Sequence, residues 1–221
     1  LFDWPMFFDK YKDVIEVMAP KPVTIRTLDI SGDKAAPYAT NSAEKNPALG
    51  LRGIRYCLKR QDVFKTQLRA ILRASVFGNV KIMFPMISCY DEVLHAKRIL
   101  REAADSLEKE GLDFNKNIEI GIMIETPSAV IMADVMARDV DFFSIGTNDL
   151  VQYSLAVDRV NKKVAHLFQP LNPAIIRMIK HVADVARDRG VTLLVCGEMA
   201  SDPVNIPILL GLGIEKLSMN P

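Results

Sequence analysis

Two acidic residues stand where apolar runs of the chain give out. Glu125 closes the stretch 118–125 just before Thr126-Pro127, and Asp149 follows the stretch 142–146 in the run Gly146-Thr147-Asn148-Asp149. If those stretches are neighbouring strands, the two carboxylates can share a hard cation. Mg2+ takes one or two protein carboxylates and completes its shell with water and substrate oxygens. The competing reading makes each acid a cap for the helix that follows, a role that suits Asp149 in particular. Three arginines add a second chemistry. Arg26 and Arg52 fall at the ends of predicted strands and Arg159 in a loop. A guanidinium fork matches phosphate or carboxylate, so arginines gathered on one face beside a metal site point to an anionic ligand. A single arginine would more simply pair with Asp29, Asp33 or Asp158. Cys196, in Val195-Cys196-Gly197-Glu198, ends another apolar run. Its thiol can donate or accept a proton because its pKa is tunable, and Gly197 lets the backbone approach a neighbour closely. Taken alone, a cysteine there reads as a small buried hydrophobe, which is also the reading of Cys57 and Cys89. His95, His166 and His181 stand at no strand end and lack ligand-spaced neighbours. They read as structural or surface residues.

Positioning these groups requires strands that all point the same way. Short runs rich in Ile, Val, Phe and Met lie at 23–30, 51–56, 80–87, 118–125, 142–146, 193–197 and 216–219. They read as strands covered on both faces. Amphipathic segments at 61–77, 91–110, 127–138, 173–189 and 203–212 read as helices, three of them opening on proline, which suits a first helical turn. Alternating β and α units predict a parallel sheet. Seven strands with polar C-terminal ends predict an α/β (β/α)8 barrel lacking one strand, because a barrel gathers those ends on one active face. An open doubly wound sheet would offer a single crevice. The stretch 31–47, with Gly, Asp, Pro and Asn, reads as a lid or binding loop.

Composition sets the outer bounds. The chain has 221 residues, 49% hydrophobic and 25% charged, with a formal net charge of +1. One domain over 1–221 is expected. Nothing in the charge balance suggests nucleic acid or a membrane surface as partner. There is no apolar run near the ~20 residues of a membrane helix and no signal-peptide pattern. Three widely spaced cysteines read as free thiols in a reducing compartment, hence a cytoplasmic location. The chain begins at Leu1 and stops at Pro221 after an apolar stretch, and it is expected to be a piece of a longer protein.

The same residues carry a family resemblance. The run Val140-Asp141-Phe142-Phe143-Ser144-Ile145-Gly146-Thr147-Asn148-Asp149-Leu150-Val151-Gln152-Tyr153-Ser154-Leu155-Ala156-Val157-Asp158-Arg159 is similar to the signature of the enzyme I family, the phosphoenolpyruvate-protein phosphotransferases of the sugar phosphotransferase system. The stretches 25–34, 46–52, 67–75 and 196–200 agree in order, so the resemblance covers essentially the whole chain. It implies that Arg26 and Arg52 meet the phosphate of phosphoenolpyruvate and that Asn148 and Arg159 hold the substrate. Glu125 and Asp149 would be Mg2+ ligands, with Asp149 also at the substrate. Met123 would line the apolar side of the site, and Cys196 would be the general acid that protonates C3 of the enolate to give pyruvate. It further implies phosphoryl transfer to a histidine on an N-terminal domain of the same protein, relay to HPr, and a homodimer. That domain is absent from the chain, as are the family's first barrel strand and last barrel helix. Ser31 stands where glycine is expected. Pyruvate phosphate dikinase and phosphoenolpyruvate synthase share the barrel and are the alternatives, although 156–159 and 166–170 resemble enzyme I more closely.

Overall fold

Parallel pairing and helical crossovers organise the chain as the alternating pattern requires. The computed structural model describes residues 4–29 and 44–219. Contacts divide the chain into two units, Leu1–Met86 with Asp91–Ile120, and Ile87–Tyr90 with Gly121–Pro221.

In the first unit, helix α1 (Trp4–Met18) packs on α3 (Gln61–Ala74). Strand β1 (Val23–Arg26) pairs in parallel with β2 (Val80–Phe84), Val23 opposite Val80 and Arg26 opposite Met83. Helix α4 (Tyr90–Lys109) buries Val93, Ala96, Ile99, Leu100, Ala103 and Leu107, spaced three or four apart apart from one adjacent pair. It carries Asp91 and Glu92 in its first turn and Lys109 in its last, signs that oppose the helix dipole. Phe64 of α3 and Phe84 of β2 are fully buried and meet edge to face, centroids 6.0 Å apart.

The predicted strand at 51–56 is instead the start of helix α2 (Gly53–Lys59). The run Leu-Arg-Gly-Ile-Arg-Tyr is short and partly apolar, which suggests a strand, but the buried residues are Gly53, Ile54, Tyr56 and Cys57. Those four lie on one helical face, and burial of that face decides the conformation. Arg52 therefore sits at the helix N-cap rather than at a strand end. Helix α1 had no counterpart among the predicted elements. Most of the proposed lid, residues 31–43, lies outside the described residues.

The second unit carries β3 (Glu119–Ile124, with its register from Gly121 on), β4 (Phe142–Gly146), β5 (Thr192–Cys196) and β6 (Leu217–Ser218), paired in parallel in that order. Every residue of β4 is buried, as expected of a strand covered on both faces. The predicted helix 127–138 breaks at Met132 into α5 (Pro127–Ile131) and α6 (Ala133–Met136). Thr126 caps α5, its hydroxyl accepting from Ala129 N at 3.2 Å while donating to the carbonyl of Ile87 at 2.9 Å. Helix α7 (Thr147–Leu155) follows β4 without a connecting loop. Helix α8 (Pro173–Arg189) has the predicted limits, set by an Asn172 cap and by Gly190 in the left-handed region. Helix α9 (Ile206–Gly211) precedes β6. Six strands, not seven, are thus present among the described residues. No described helix is long and apolar enough to cross a membrane.

Candidate functional site

In the first unit the anion-seeking residues are built around one buried carboxylate. Arg26 is the last residue of β1 and is half exposed at its side chain (50%), whereas the Asp29 carboxylate is nearly inaccessible (4%). Arg52, held at the N-cap of α2, grips Asp29 with both prongs of its fork: Nε donates to Oδ1 at 3.0 Å and Nη2 to Oδ2 at 2.8 Å. Arg26 Nη1 stands 4.0 Å from the same Oδ2. The ion pair to Asp29 weighed from the sequence is therefore real for Arg52. It does not compete with an anion-binding role, because two guanidinium groups share one carboxylate and the local charge stays positive. Beneath this group the thiol of Cys57 donates to the carbonyl of Leu28 at 3.6 Å. Burial, and then the nearby Asp29 carboxylate, push that thiol up to about 12, so Cys57 is inert at neutral pH.

In the second unit the parallel register places the remaining candidates at the C-terminal ends of three successive strands. Glu125 follows the last residue of β3, Asn148 and Asp149 lie in the first turn of α7 directly after β4, and Cys196 ends β5 opposite Gly146. Glu125 is 1% exposed. Its Oε2 lies so close over Gly146 that a Cβ there would come within 2.4 Å of it, and within 2.8 Å of the Met123 Cε. Met123 is itself buried on β3. A hydrogen at position 146 is what lets the carboxylate fit. These residues suit a hard cation: two carboxylates on adjacent strand ends, one deeply buried, supply only oxygen donors. Among the described residues no three His, Cys, Asp or Glu side chains group closely enough to hold a metal by themselves. A cation here would take its other ligands from substrate and water.

The first turn of α7 is locked to the end of β5. Asn148 Oδ1 accepts from Glu198 N at 3.1 Å, and Thr147 Oγ1 donates to the carbonyl of Cys196 at 2.9 Å. Between these bonds Gly197 adopts φ +94 and ψ −173, backbone that only glycine enters without strain. The Cys196 thiol donates to the carbonyl of Ile145 at 3.5 Å and accepts from Ser144 Oγ at 3.3 Å. Arg159 lies in the exposed loop after α7, its backbone N–H donating to Gln152 Oε1 at 3.1 Å. Arg26 and Arg52 thus share a partner in the first unit, while Glu125, Asn148, Asp149 and Cys196 are positioned by the second. Of the histidines, His166 and His181 are exposed, and His95 lies on α4 with its Nε2 2.7 Å from Arg98 Nη2. Ser144, Thr147 and the anchoring role of Asp29 escape a reading of residue types alone. The one available signal was a hydroxyl at position 144 in an otherwise apolar strand.

With this geometry in view, the likenesses to known proteins become informative. A family profile described as PEP-utilising enzyme, PEP-binding domain, matches residues 6–221. The chain is 56% identical over 213 residues to a phosphoenolpyruvate-protein phosphotransferase of Geobacillus stearothermophilus, covering 96% of this chain. It is 54% identical over the same span to the protein so named in Bacillus subtilis (strain 168), and 51% identical to that of Staphylococcus aureus. The chain spans 37% of the length of these relatives. Among solved structures, the magnesium/glyoxylate complex of Haloferax volcanii malate synthase matches with a TM-score of 0.55 at 12% identity, over 96% of this chain and 55% of that one. An HpcH/HpaI aldolase/citrate lyase family protein from Burkholderia cenocepacia J2315 matches with a TM-score of 0.53 at 14% identity, over 95% of this chain and 82% of that one. At such identities the likeness is one of fold.

Proposed function

Because the chain belongs to the PEP-utilising enzymes through their PEP-binding domain, we propose that it is the phosphoenolpyruvate-handling part of a phosphoenolpyruvate-protein phosphotransferase. In this reading the protein moves the phosphoryl group of phosphoenolpyruvate to a histidine of an N-terminal domain, for relay to HPr in sugar uptake, and releases pyruvate. Support comes from the extent of identity to proteins of that name. The observation that carries it is the placement of Glu125, Asn148, Asp149 and Cys196 at successive strand ends of one unit.

Each residue has a task in this proposal. Arg26 and Arg52 hold the phosphate, with Asp29 fixing the Arg52 fork in advance. Asn148 offers its amide NH2 to the substrate, since Glu198 N–H occupies its Oδ1. Arg159 binds the substrate as a third arginine, and Met123 packs against its apolar edge. Mg2+ held by Glu125 and Asp149 would supply positive charge to the oxygen left behind as the P–O bond breaks. Asp149 also stands at the substrate. Cys196 delivers a proton to C3, which makes transfer run toward pyruvate. The finer features follow the family resemblance: a single partial domain over 1–221, built on the (β/α)8 barrel pattern with six of its strands among the described residues, in a cytoplasmic homodimer with no nucleic-acid or membrane partner.

Calorimetry of phosphoenolpyruvate binding, with and without Mg2+, tests the reading. Binding that requires Mg2+ and disappears in both Arg26→Ala and Glu125→Ala is expected. Binding indifferent to Mg2+ and to both substitutions would overturn it.

A further inference from the structure

We propose that Ser144 is a positioning residue for the Cys196 thiol, holding it in place and stabilising the thiolate left when the proton is delivered. The inference rests on the functional reading above. Ser144 lies on β4 two residues before Gly146, the residue opposite Cys196 in the parallel register, so both side chains stand on the same face of the strand pair. Ser144 is completely buried in a strand whose other members are Phe, Phe, Ile and Gly. A hydroxyl in that setting carries a desolvation cost unless it is bonded. Its Oγ donates to Cys196 Sγ at 3.3 Å, and the sulfur in turn donates to the carbonyl of Ile145 at 3.5 Å. The thiol is thereby held from both sides, with its proton on the Ile145 carbonyl and a lone pair on the serine.

Consider proton delivery to pyruvate enolate. The S–H bond breaks, its electron pair stays on sulfur, and the enolate C=C pair forms the new C–H bond at C3, giving pyruvate and a thiolate. The bond to Ile145 O loses its proton and vanishes. The bond from Ser144 changes from a weak O–H···S contact into a charge-assisted one to an anion, which is about twice as strong. Ser144 is therefore a group whose interaction grows as the proton leaves, and such interactions raise the rate of the step. Gly146, opposite Cys196, carries no side chain, and the space a Cβ would take there is filled by the Glu125 carboxylate and the Met123 methyl.

The test measures carbamidomethylation of each cysteine by iodoacetamide at pH 7.5, resolved by peptide mass spectrometry, in the full-length protein and its Ser144→Ala and Ser144→Thr variants. Loss of one hydrogen bond to an anion lowers the thiolate population roughly ten- to a hundred-fold. Cys196 labelling should slow by that order in Ser144→Ala and return in Ser144→Thr. Buried Cys57 serves as the control for folding, since opening of the structure would accelerate both sites, the opposite of the expected change. In turnover, Ser144→Ala should lower kcat for pyruvate formation with little change in the KM for phosphoenolpyruvate. Unchanged Cys196 labelling in a Ser144→Ala protein that keeps Cys57 protected overturns the proposal. A wild-type protein that cannot take phosphate from phosphoenolpyruvate overturns the functional reading and the proton-delivery role with it. The labelling result then still decides whether the Ser144–Cys196 bond tunes the thiol.

Discussion

Replacing Gly197 by alanine isolates the joint on which the second unit's candidates depend. At φ +94 and ψ −173 an L-residue bears roughly 1–3 kcal/mol of backbone strain. The added methyl would also lie 2.5 Å from Thr147 Oγ1 and 3.1 Å from Asn148 Oδ1. Thr147 is fully buried and its hydroxyl is tied to the Cys196 carbonyl at 2.9 Å, so it cannot swing aside without losing that bond, worth about 0.5–1.5 kcal/mol. The two contributions sum to roughly 1.5–4.5 kcal/mol. A domain stable by about 5–15 kcal/mol remains folded after such a loss. Urea unfolding followed by circular dichroism should show the midpoint falling with the slope unchanged. In the full-length protein, under the function proposed above, phosphoenolpyruvate turnover should also fall, because Asn148 and the Cys196 carbonyl are both tied at this joint. A stability loss below about 0.5 kcal/mol would show that the chain relaxes freely here, and would refute the argument that 197 is a fixed joint.

Two further outcomes are expected. Arg52→Ala leaves the inaccessible Asp29 carboxylate without its bidentate partner. It should cost about 3–5 kcal/mol in urea unfolding, while the double variant Arg52→Met/Asp29→Leu should recover much of that. A single-variant cost under 1 kcal/mol would mean that the pair is not structural. For Cys57 the sign follows from its folded-state value. A thiol at about 12 in the folded chain, against about 8.5 when unfolded, is neutral in both states at pH 7 and affects stability only in alkali. Unfolding then releases the proton more readily, so stability falls by up to about 1.4 kcal/mol per pH unit between roughly pH 8.5 and 12. Unfolding midpoints of Cys57→Ala should be flatter than those of the parent over that range, and parallel curves would remove Cys57 as the cause.

Much of the architecture was legible because local patterns and tertiary burial agree. Strand β4 and helix α8 have their predicted limits. The five apolar or small residues of β4 admit no amphipathic helix, and Asn172, Pro173 and Gly190 mark the helix ends chemically. The broken helix at Met132 and the missing strand at 51–56 were not legible. In 127–138 apolar and small residues recur throughout, and which of them turn inward depends on what packs against them. At 51–56 the short run of mixed apolar residues did not separate strand from helix, and burial of Gly53, Ile54, Tyr56 and Cys57 on one helical face decided it. The sequence offers Asp149 as the cap of a following helix, but α7 starts earlier, at Thr147 with Gly146 at its N-cap, because Thr, Asn and Asp, which read as loop, all fit the first turn of a helix launched from a strand end.

The residue types, their order and their places beside apolar runs were a property of the sequence alone, and they sufficed to name Glu125, Asp149, Arg26, Arg52, Arg159 and Cys196 as candidates. Which of them share a partner was decided only by the tertiary structure. Arg52 meets Asp29 across 23 positions of chain, and Ser144 meets Cys196 across 52. No local propensity encodes such separations. The Ser144–Cys196 pair arises from strand register, in which a shift of one residue would turn every side chain to the opposite face, and the Arg52–Asp29 pair from the packing of the α2 N-terminus against the segment after β1.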